Sequence, residues 1–191
     1  MVLVLGGARS GKSAFAQQLA LKLGDRVCFI ATASACDEEM EKRIGIHRES
    51  RPGGWETVEL EAGSGVPVLP QEVGVALLDC FTVHLYGMMA SRGLDWKAED
   101  EDLMAEDEVL ERCGKVEAEA MRTIEALRES VPVLVVVSNE VGMGLVPPFR
   151  LGRIFRDIAG RLNQRLAAEA DEVFMVIAGL PVRLKPWRVG E

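Results

Sequence analysis

The stretch that decides the fold lies at the amino terminus, where residues 2–13 read Val2-Leu3-Val4-Leu5-Gly6-Gly7-Ala8-Arg9-Ser10-Gly11-Lys12-Ser13. The first four residues are apolar without alternation, which predicts a strand buried on both faces. The next eight match the pattern G-x-x-x-x-G-K-[ST], and residues 14–23 have the pattern of a helix. A phosphate-binding P-loop requires this order of strand, glycine-rich loop and helix. The sequence therefore predicts a nucleotide-binding protein.

Each part of this loop has a chemical role in holding a nucleoside triphosphate. Glycines let the backbone curl so that its N–H groups point at phosphate oxygens. The start of the following helix adds free N–H donors and the positive end of the helix dipole. Lys12 is placed to reach the β- and γ-phosphates, and the Ser13 hydroxyl to bind Mg²⁺. The nucleotide-binding residues predicted from the loop are Gly6, Gly7, Ala8, Arg9, Ser10, Gly11, Lys12 and Ser13.

Composition limits the remaining classes of protein. The 191 residues are 48% hydrophobic, enough for a single domain over residues 1–191 with a sizeable core. The net charge of −8 argues against general attraction to nucleic acid or to an anionic membrane. We find neither a secretory signal pattern nor an apolar run approaching roughly 18 residues, so membrane insertion is not expected. Four cysteines without C-x-x-C spacing predict free thiols and a cytoplasmic protein.

Short apolar runs alternate with helical patterns along the rest of the chain. Strands are predicted at residues 27–31, 55–60, 73–78, 133–137 and 172–178, with a short edge strand at 180–187. Helices are predicted over residues 37–48, 83–90 and 103–128, and around an apolar stripe at 151–162. This alternation predicts an α/β fold with a mostly parallel sheet covered by helices on both faces.

Polar residues follow several of the predicted strands. Thr32, Asp79 and Asn139 each come directly after a buried run, and ligands of parallel sheets bind at the carboxyl ends of the strands. An acidic residue after an apolar strand is typical of a Walker B site, where it orients Mg²⁺. An aspartate in that position is as often a helix cap, so the spacing leaves both interpretations open. Ser13 and Asp79 are the candidate metal ligands.

The chain has only two histidines, and one of them, His47, lies among Arg43, Arg48 and Arg51. Guanidinium groups suit phosphate, and an imidazole of ordinary pKa is largely neutral and nucleophilic at cytoplasmic pH. The alternative is a structural histidine whose neighbouring arginines pair with glutamates, and the spacing alone favours that alternative. His84, among apolar residues, is expected to be packed in the core. The acidic runs at 99–102 and 106–108 predict a solvated loop or helix face.

Five segments of the chain, in this order, resemble the bifunctional adenosylcobinamide kinase / adenosylcobinamide-phosphate guanylyltransferase family of cobalamin biosynthesis. They are the P-loop, the segment Arg43-Ile44…His47…Arg51-Pro52, the segment Asp79-Cys80-Phe81-Thr82, and residues 139–147 and 155–164. The resemblance extends from about residue 1 to residue 185. It implies a RecA-like P-loop NTPase fold and, by family precedent, a homotrimer.

The resemblance also implies two reactions. ATP or GTP phosphorylates the hydroxyl of the aminopropanol arm of adenosylcobinamide, a corrinoid. GTP then transfers GMP to an enzyme histidine, from which adenosylcobinamide phosphate takes it to give adenosylcobinamide-GDP. The family histidine falls on His47, with Lys12 as the second catalytic residue and Mg²⁺ as the cofactor. Outside the P-loop, the implied GTP contacts are Ala31, Thr32, Ala33, Arg48, Glu49, Ser50, Arg51, Glu59 and Asp79.

The sequence departs from the family pattern at three places, one of which is Asp79, where some relatives carry glutamate. Ile46 stands where some relatives carry a second histidine, which leaves His47 as the single candidate in that segment. Residues 83–87 lack the tryptophan and asparagine expected after the Asp-Cys-x-Thr motif, a departure that bears on how the corrinoid is contacted. Two other functions remain as alternatives from the sequence. One is a simple P-loop small-molecule kinase, and the other is a RecA-like ATPase or nucleotide-gated module acting on nucleic acid, against which the acidic charge argues.

Overall fold

The apolar runs of the sequence form one seven-stranded sheet in the computed structural model of the chain, which describes residues 1–32, 53–62, 65–95 and 104–186. The strands are β1 Val2–Gly6, β2 Val27–Ala31, β3 Glu56–Glu59, β4 Val75–Asp79, β5 Val133–Asn139, β6 Glu172–Ile177 and β7 Leu180–Lys185. The helices of the described residues are α1 Lys12–Leu23, α2 Phe81–Ala90, α3 Glu106–Ser130 and α4 Arg150–Glu169. The helix predicted over residues 37–48 lies outside these ranges.

The strands follow the order β3-β2-β4-β5-β1-β6-β7 across the sheet. Every neighbouring pair is parallel except β6 and β7, which form an antiparallel pair at the edge. The register places Gly6 beside Asn139 and Ala31 beside Asp79. The carboxyl ends of β1, β2, β4 and β5 therefore meet at one edge of the sheet, as the sequence predicted.

Alternate residues of each strand point to opposite faces of the sheet, and both faces are covered by helices. Leu3, Leu78 and Val136 belong to a core cluster that includes apolar residues of α2, α3 and α4. Val4 and Leu77 belong to a second cluster with residues of α1. The near-continuous apolar runs of the central strands follow from this burial on both faces. The predicted mostly parallel sheet with helices on both faces is confirmed.

Several boundaries differ from the predictions for local physical reasons. Helix α1 begins at Lys12 rather than at residue 14, because the left-handed backbone of Gly11, with φ of 91°, turns the chain into the helix at that point. Helix α2 begins at Phe81, two residues earlier than predicted. Helix α3 begins with the exposed acidic residues 106–108, which suit the positive end of its dipole. The edge strand β7 ends at Lys185.

Other expectations concern single side chains and membrane segments. Cys28, Cys80 and Cys113 are buried free thiols, as predicted, and Cys36 lies outside the described residues. His84 is buried on α2, which confirms the expectation that it packs in the core. Within the described ranges, the helices lack the combination of length and apolar character that crossing a bilayer requires.

Candidate active site

The P-loop connects β1 to α1 and is held in shape by its own backbone. The Ser10 N–H donates to the Gly7 carbonyl at 3.3 Å. Arg9 and Gly11 both have positive φ, which curls the loop back toward the helix. The Lys12 ammonium donates to the Gly7 carbonyl at 3.4 Å, so the lysine side chain lies along the loop it belongs to. Loop and lysine are thus brought together as the motif predicted.

The turn between β6 and β7 packs directly beneath the P-loop. The Gly179 N–H donates to the Ser10 carbonyl at 2.8 Å. A Cβ on Gly11 would lie 3.2 Å from the Gly179 Cα, and a Cβ on Gly6 would lie 2.8 Å from the Val176 carbonyl oxygen. Both loop glycines are therefore required by close contact with this hairpin. No local pattern predicts this contact, because the hairpin lies far along the chain from the loop.

Ser10 adds a polar group inside the loop. Its hydroxyl is buried and has no hydrogen-bond partner among the described residues. A buried polar group without a partner costs about 1–3 kcal/mol. A phosphate oxygen or a water molecule that accepts from this hydroxyl removes that cost, which is consistent with a loop built to hold an anion.

The ends of β2, β3 and β4 place three predicted contact residues in one row. The register pairs Ala31 with Glu59 on one side and with Asp79 on the other. Next to this row, the Thr32 hydroxyl donates to the Cys80 carbonyl at 2.9 Å and accepts from the Cys80 N–H at 3.0 Å. Because that hydroxyl is committed to Cys80, a nucleotide contact by Thr32 would use its main chain.

A group of polar side chains connects α2 and β5 to α4 behind this row. The Thr82 hydroxyl accepts from the Asn139 side-chain amide at 2.8 Å and from its backbone N–H at 3.2 Å. Asn163 donates to the Asn139 carbonyl at 3.1 Å and accepts from the Ser138 hydroxyl at 2.7 Å. This network was not predicted from the sequence, although Thr82, Asn139 and Asn163 each lie in a segment that carries the family resemblance.

Two titratable groups near the strand ends are kept uncharged by their surroundings. Burial is the main cause that raises the pKa of the Cys80 thiol above its usual value of 9.0, and the negative charge of Asp79 is the second cause. Burial lowers the pKa of His84 below 6.5. His84 lines a cavity of about 270 Å³ together with Glu61, Glu119 and Arg122. The described lining of this cavity includes none of the predicted nucleotide contacts, so His84 is not part of this site.

Comparison with known proteins places the chain in a family. The model of the family described as cobinamide kinase / cobinamide phosphate guanyltransferase matches residues 2–184. The chain belongs to this family. Membership confirms the expected enzyme class, a bifunctional kinase and guanylyltransferase of cobalamin biosynthesis, and does not favour the plain kinase or the ATPase acting on nucleic acid.

Individual members of the cobinamide kinase family are similar over nearly the whole chain. The bifunctional adenosylcobalamin biosynthesis protein CobU of Escherichia coli (strain K12) is 42% identical, covering 97% of this chain and 99% of its own. The protein of the same name from Salmonella typhimurium is 41% identical over the same shares. Bifunctional adenosylcobalamin biosynthesis protein CobP of Pseudomonas aeruginosa is 37% identical, covering 96% of each chain.

Among solved structures, a KaiC-like protein, PH0186, from Pyrococcus horikoshii OT3 aligns with 91% of this chain and 70% of its own, at 14% identity and a TM-score of 0.39. In the present chain, β5 lies between β1, which enters the P-loop, and β4, which ends at Asp79. The mostly parallel sheet, with the P-loop between β1 and α1, is an α/β P-loop NTPase fold.

Ser13 and Asp79, the candidate metal ligands, offer the type of oxygen atom that a magnesium ion arriving with a nucleotide would take. Ser13 in the first turn of α1 and Asp79 at the end of β4 supply a hydroxyl and a carboxylate, the hard oxygen ligands that Mg²⁺ prefers. Within the part of the chain that the structure describes, no group of three or more histidine, cysteine or acidic side chains is placed to hold a metal. Mg²⁺ bound through one or two protein ligands completes its shell with substrate phosphates and water.

The remaining predicted site residues lie outside the described part of the chain. These are the candidate nucleophile, its flanking residues and one strand-end residue, namely His47, Arg48, Glu49, Ser50, Arg51 and Ala33. Their roles stay predictions. The described residues include the P-loop, for which the sequence predicts phosphate binding.

Proposed function

We propose that this chain phosphorylates adenosylcobinamide and then guanylylates the product, with both reactions organised by the P-loop in a single domain over residues 1–191. The observation that supports this most directly is the P-loop itself, closed by the Lys12 contact to Gly7 and supported from below by Gly179, in a chain of the cobinamide kinase family. The kinase reaction requires these parts to hold a triphosphate at the edge of the sheet.

In the kinase step, the hydroxyl oxygen of the aminopropanol arm attacks the γ-phosphorus of ATP or GTP. A new P–O bond forms, the bond to the bridging β,γ-oxygen breaks, and the nucleoside diphosphate leaves while the hydroxyl proton is released. Lys12 and the N-terminus of α1 stabilise the negative charge on the phosphates. Ser13 and Asp79 would hold Mg²⁺, which would supply positive charge to neutralise the departing diphosphate.

In the transferase step, a neutral His47 nitrogen attacks the α-phosphorus of GTP. The N–P bond forms and pyrophosphate leaves, which gives a guanylylated enzyme. A phosphate oxygen of adenosylcobinamide phosphate then attacks the same phosphorus, the N–P bond breaks, and His47 is restored. Ala31, Glu59 and the segment around Arg48 contact GTP in this proposal.

The proposal extends to assembly and location. As the family resemblance implies, the chain forms a homotrimer in the cytoplasm, where its free thiols remain reduced. Light scattering of the full-length chain would support this with a mass of three chains, and a monomer mass would contradict it.

The test of the two-step mechanism is covalent labelling. We expect the wild-type chain, incubated with Mg²⁺ and GTP labelled at the α-phosphate and then denatured, to carry an acid-labile and alkali-stable label. His47→Ala should carry none, because the nucleophilic nitrogen is absent. His84→Gln is the matched control: it replaces the only other histidine, which lies outside the site, and should retain the label.

Further outcomes separate the two reactions. Label that persists in His47→Ala would move the nucleophile to another residue, and absence of label in the wild type would contradict the transferase step. The rate of adenosylcobinamide phosphorylation should be lower in Lys12→Ala than in the wild type by about 100-fold or more, since the lysine stabilises charge in the transition state. Unchanged phosphorylation in that variant would contradict the role given to the P-loop.

A further inference from the structure

The segment between β5 and α4, residues 140–149, exposes an unusual amount of apolar side chain. We refer to it as the β5–α4 loop. Single exposed apolar residues are ordinary, but a concentration of them marks an interaction site. Four such residues fall within residues 143–149, and their exposed fractions are 80% for Met143, 96% for Leu145, 63% for Val146 and 69% for Phe149.

Contacts from α4 hold the β5–α4 loop in this exposed conformation. The Arg153 guanidinium donates to the Pro147 carbonyl at 3.2 Å and to the Pro148 carbonyl at 2.7 Å. A Cβ on Gly152 would lie 2.7 Å from the Pro147 Cβ, so the first turn of α4 packs directly on the loop. The apolar side chains face outward from a backbone that is fixed at both prolines.

The β5–α4 loop leaves the sheet at the edge where the nucleotide phosphates bind in the proposed function. The Glu140 N–H donates to the Gly6 carbonyl at 3.0 Å, at the point where β1 enters the P-loop. The Gly142 N–H donates to the Glu140 carboxylate at 2.7 Å, which continues the turn away from the sheet. Asn139, just before the loop, is bonded to Thr82, three residues after Asp79. The start of the loop therefore lies beside the P-loop edge, and its apolar side chains follow within a few residues.

We propose that the β5–α4 loop binds the corrin macrocycle of the cobinamide substrate. This inference rests on the proposed function, in which a large ring with apolar faces must stay close to the nucleotide while its hydroxyl or phosphate, at the end of a flexible arm, reaches the phosphorus. Adenosylcobinamide carries a net positive charge, which Glu140 at the start of the loop attracts. The two arginines that follow the loop on α4, Arg150 and Arg153, donate to the main-chain carbonyls of Met104, Pro147 and Pro148.

The test compares Leu145→Ser and Phe149→Ser with the wild type. Equilibrium dialysis of adenosylcobinamide, followed by its visible absorbance, gives the dissociation constant. We expect each substitution to raise it about tenfold, because a large apolar contact is lost, and to raise KM for adenosylcobinamide similarly. The matched control is Val68→Ser, which removes a side chain 92% exposed in the connection before β4 and should leave the dissociation constant unchanged.

Three measurements make the outcomes distinguishable. Unchanged adenosylcobinamide binding in both loop variants would overturn the proposal. Light scattering that shows an altered mass with unchanged binding would assign the loop to a second copy of the chain, which also overturns it. Labelling by GTP needs no corrinoid, so a wild-type chain that takes no label would contradict the proposed transferase step, whatever the binding measurements give.

Discussion

His84 is a histidine whose surroundings disfavour its charged form. Its side chain is only 3% exposed, and its Nδ1 has no partner within the described residues. Burial lowers its pKa, opposed in part by the charge of Glu119 and by a hydrogen bond to the Leu60 carbonyl. Glu61 and Arg122 also face the cavity that the ring lines. At neutral pH the ring is therefore largely uncharged.

This lowered pKa has a consequence for stability at acid pH. A group whose pKa is lower in the folded chain binds protons more readily after unfolding. The contribution of neutral His84 to stability is therefore present above pH 6.5, the ordinary pKa of the imidazole, and is lost as the pH falls below that value. We expect the free energy of unfolding, measured by urea denaturation at pH 7.5 and pH 5.5, to fall less in His84→Gln than in the wild type. Since the amide can still donate to Leu60, the variant should fold. An equal fall in both proteins would show that His84 does not titrate on unfolding.

At the scale of the secondary-structure elements, the β6–β7 hairpin acts as a support for the P-loop. The turn has two residues with positive φ, Ala178 and Gly179, and it meets the loop through the bond from Gly179 to Ser10. A β-branched residue in such a left-handed conformation is strained. Strain at this turn is therefore expected to change the shape of the phosphate site.

Gly179→Val tests this support. We expect the variant to lose about 1–3 kcal/mol of stability and to bind GTP several-fold more weakly, measured by denaturation and by titration calorimetry. Gly65→Val is the matched control, because Gly65 also has positive φ with open space where a Cβ would lie, and it belongs to the connection before β4. It should lose similar stability without losing GTP affinity. If both variants weaken GTP binding equally, the hairpin has no specific role.

The sequence predicted these elements from local patterns and missed what depends on distant partners. The P-loop was predictable because its residues and its flanking strand and helix are contiguous. The support from Gly179 was not, since it depends on β6 lying beside β1, a pairing that no local pattern specifies. For the same reason the hydrogen bond from the Thr32 hydroxyl to Cys80 was not predictable, whereas the position of Thr32 at a strand end was.

At the scale of the whole molecule, the sheet separates two cores that serve different parts of the site. One face packs against α2, α3 and α4, and the other packs against α1, which carries Lys12 and Ser13 in its first turn. Unbroken apolar runs predicted burial on both faces but not which helix covers which face, because that depends on the strand order. Packing on the α1 face is thus linked to the position of the P-loop.

Two adjacent residues of β4 have side chains on opposite faces of the sheet. Leu77 and Leu78 are both fully buried, but Leu77 belongs to the cluster of α1 and Leu78 to the opposite one. We expect Leu77→Ala and Leu78→Ala each to lower the free energy of unfolding by about 2–5 kcal/mol, since both leave a cavity. Only Leu77→Ala should also raise the dissociation constant for GTP, by about threefold or more, because it weakens the packing of α1 against the sheet. Leu78 is the closer of the two to Asp79 along the chain, so a larger effect of Leu78→Ala on GTP binding would show that the acidic strand end, rather than the packing of α1, controls nucleotide affinity.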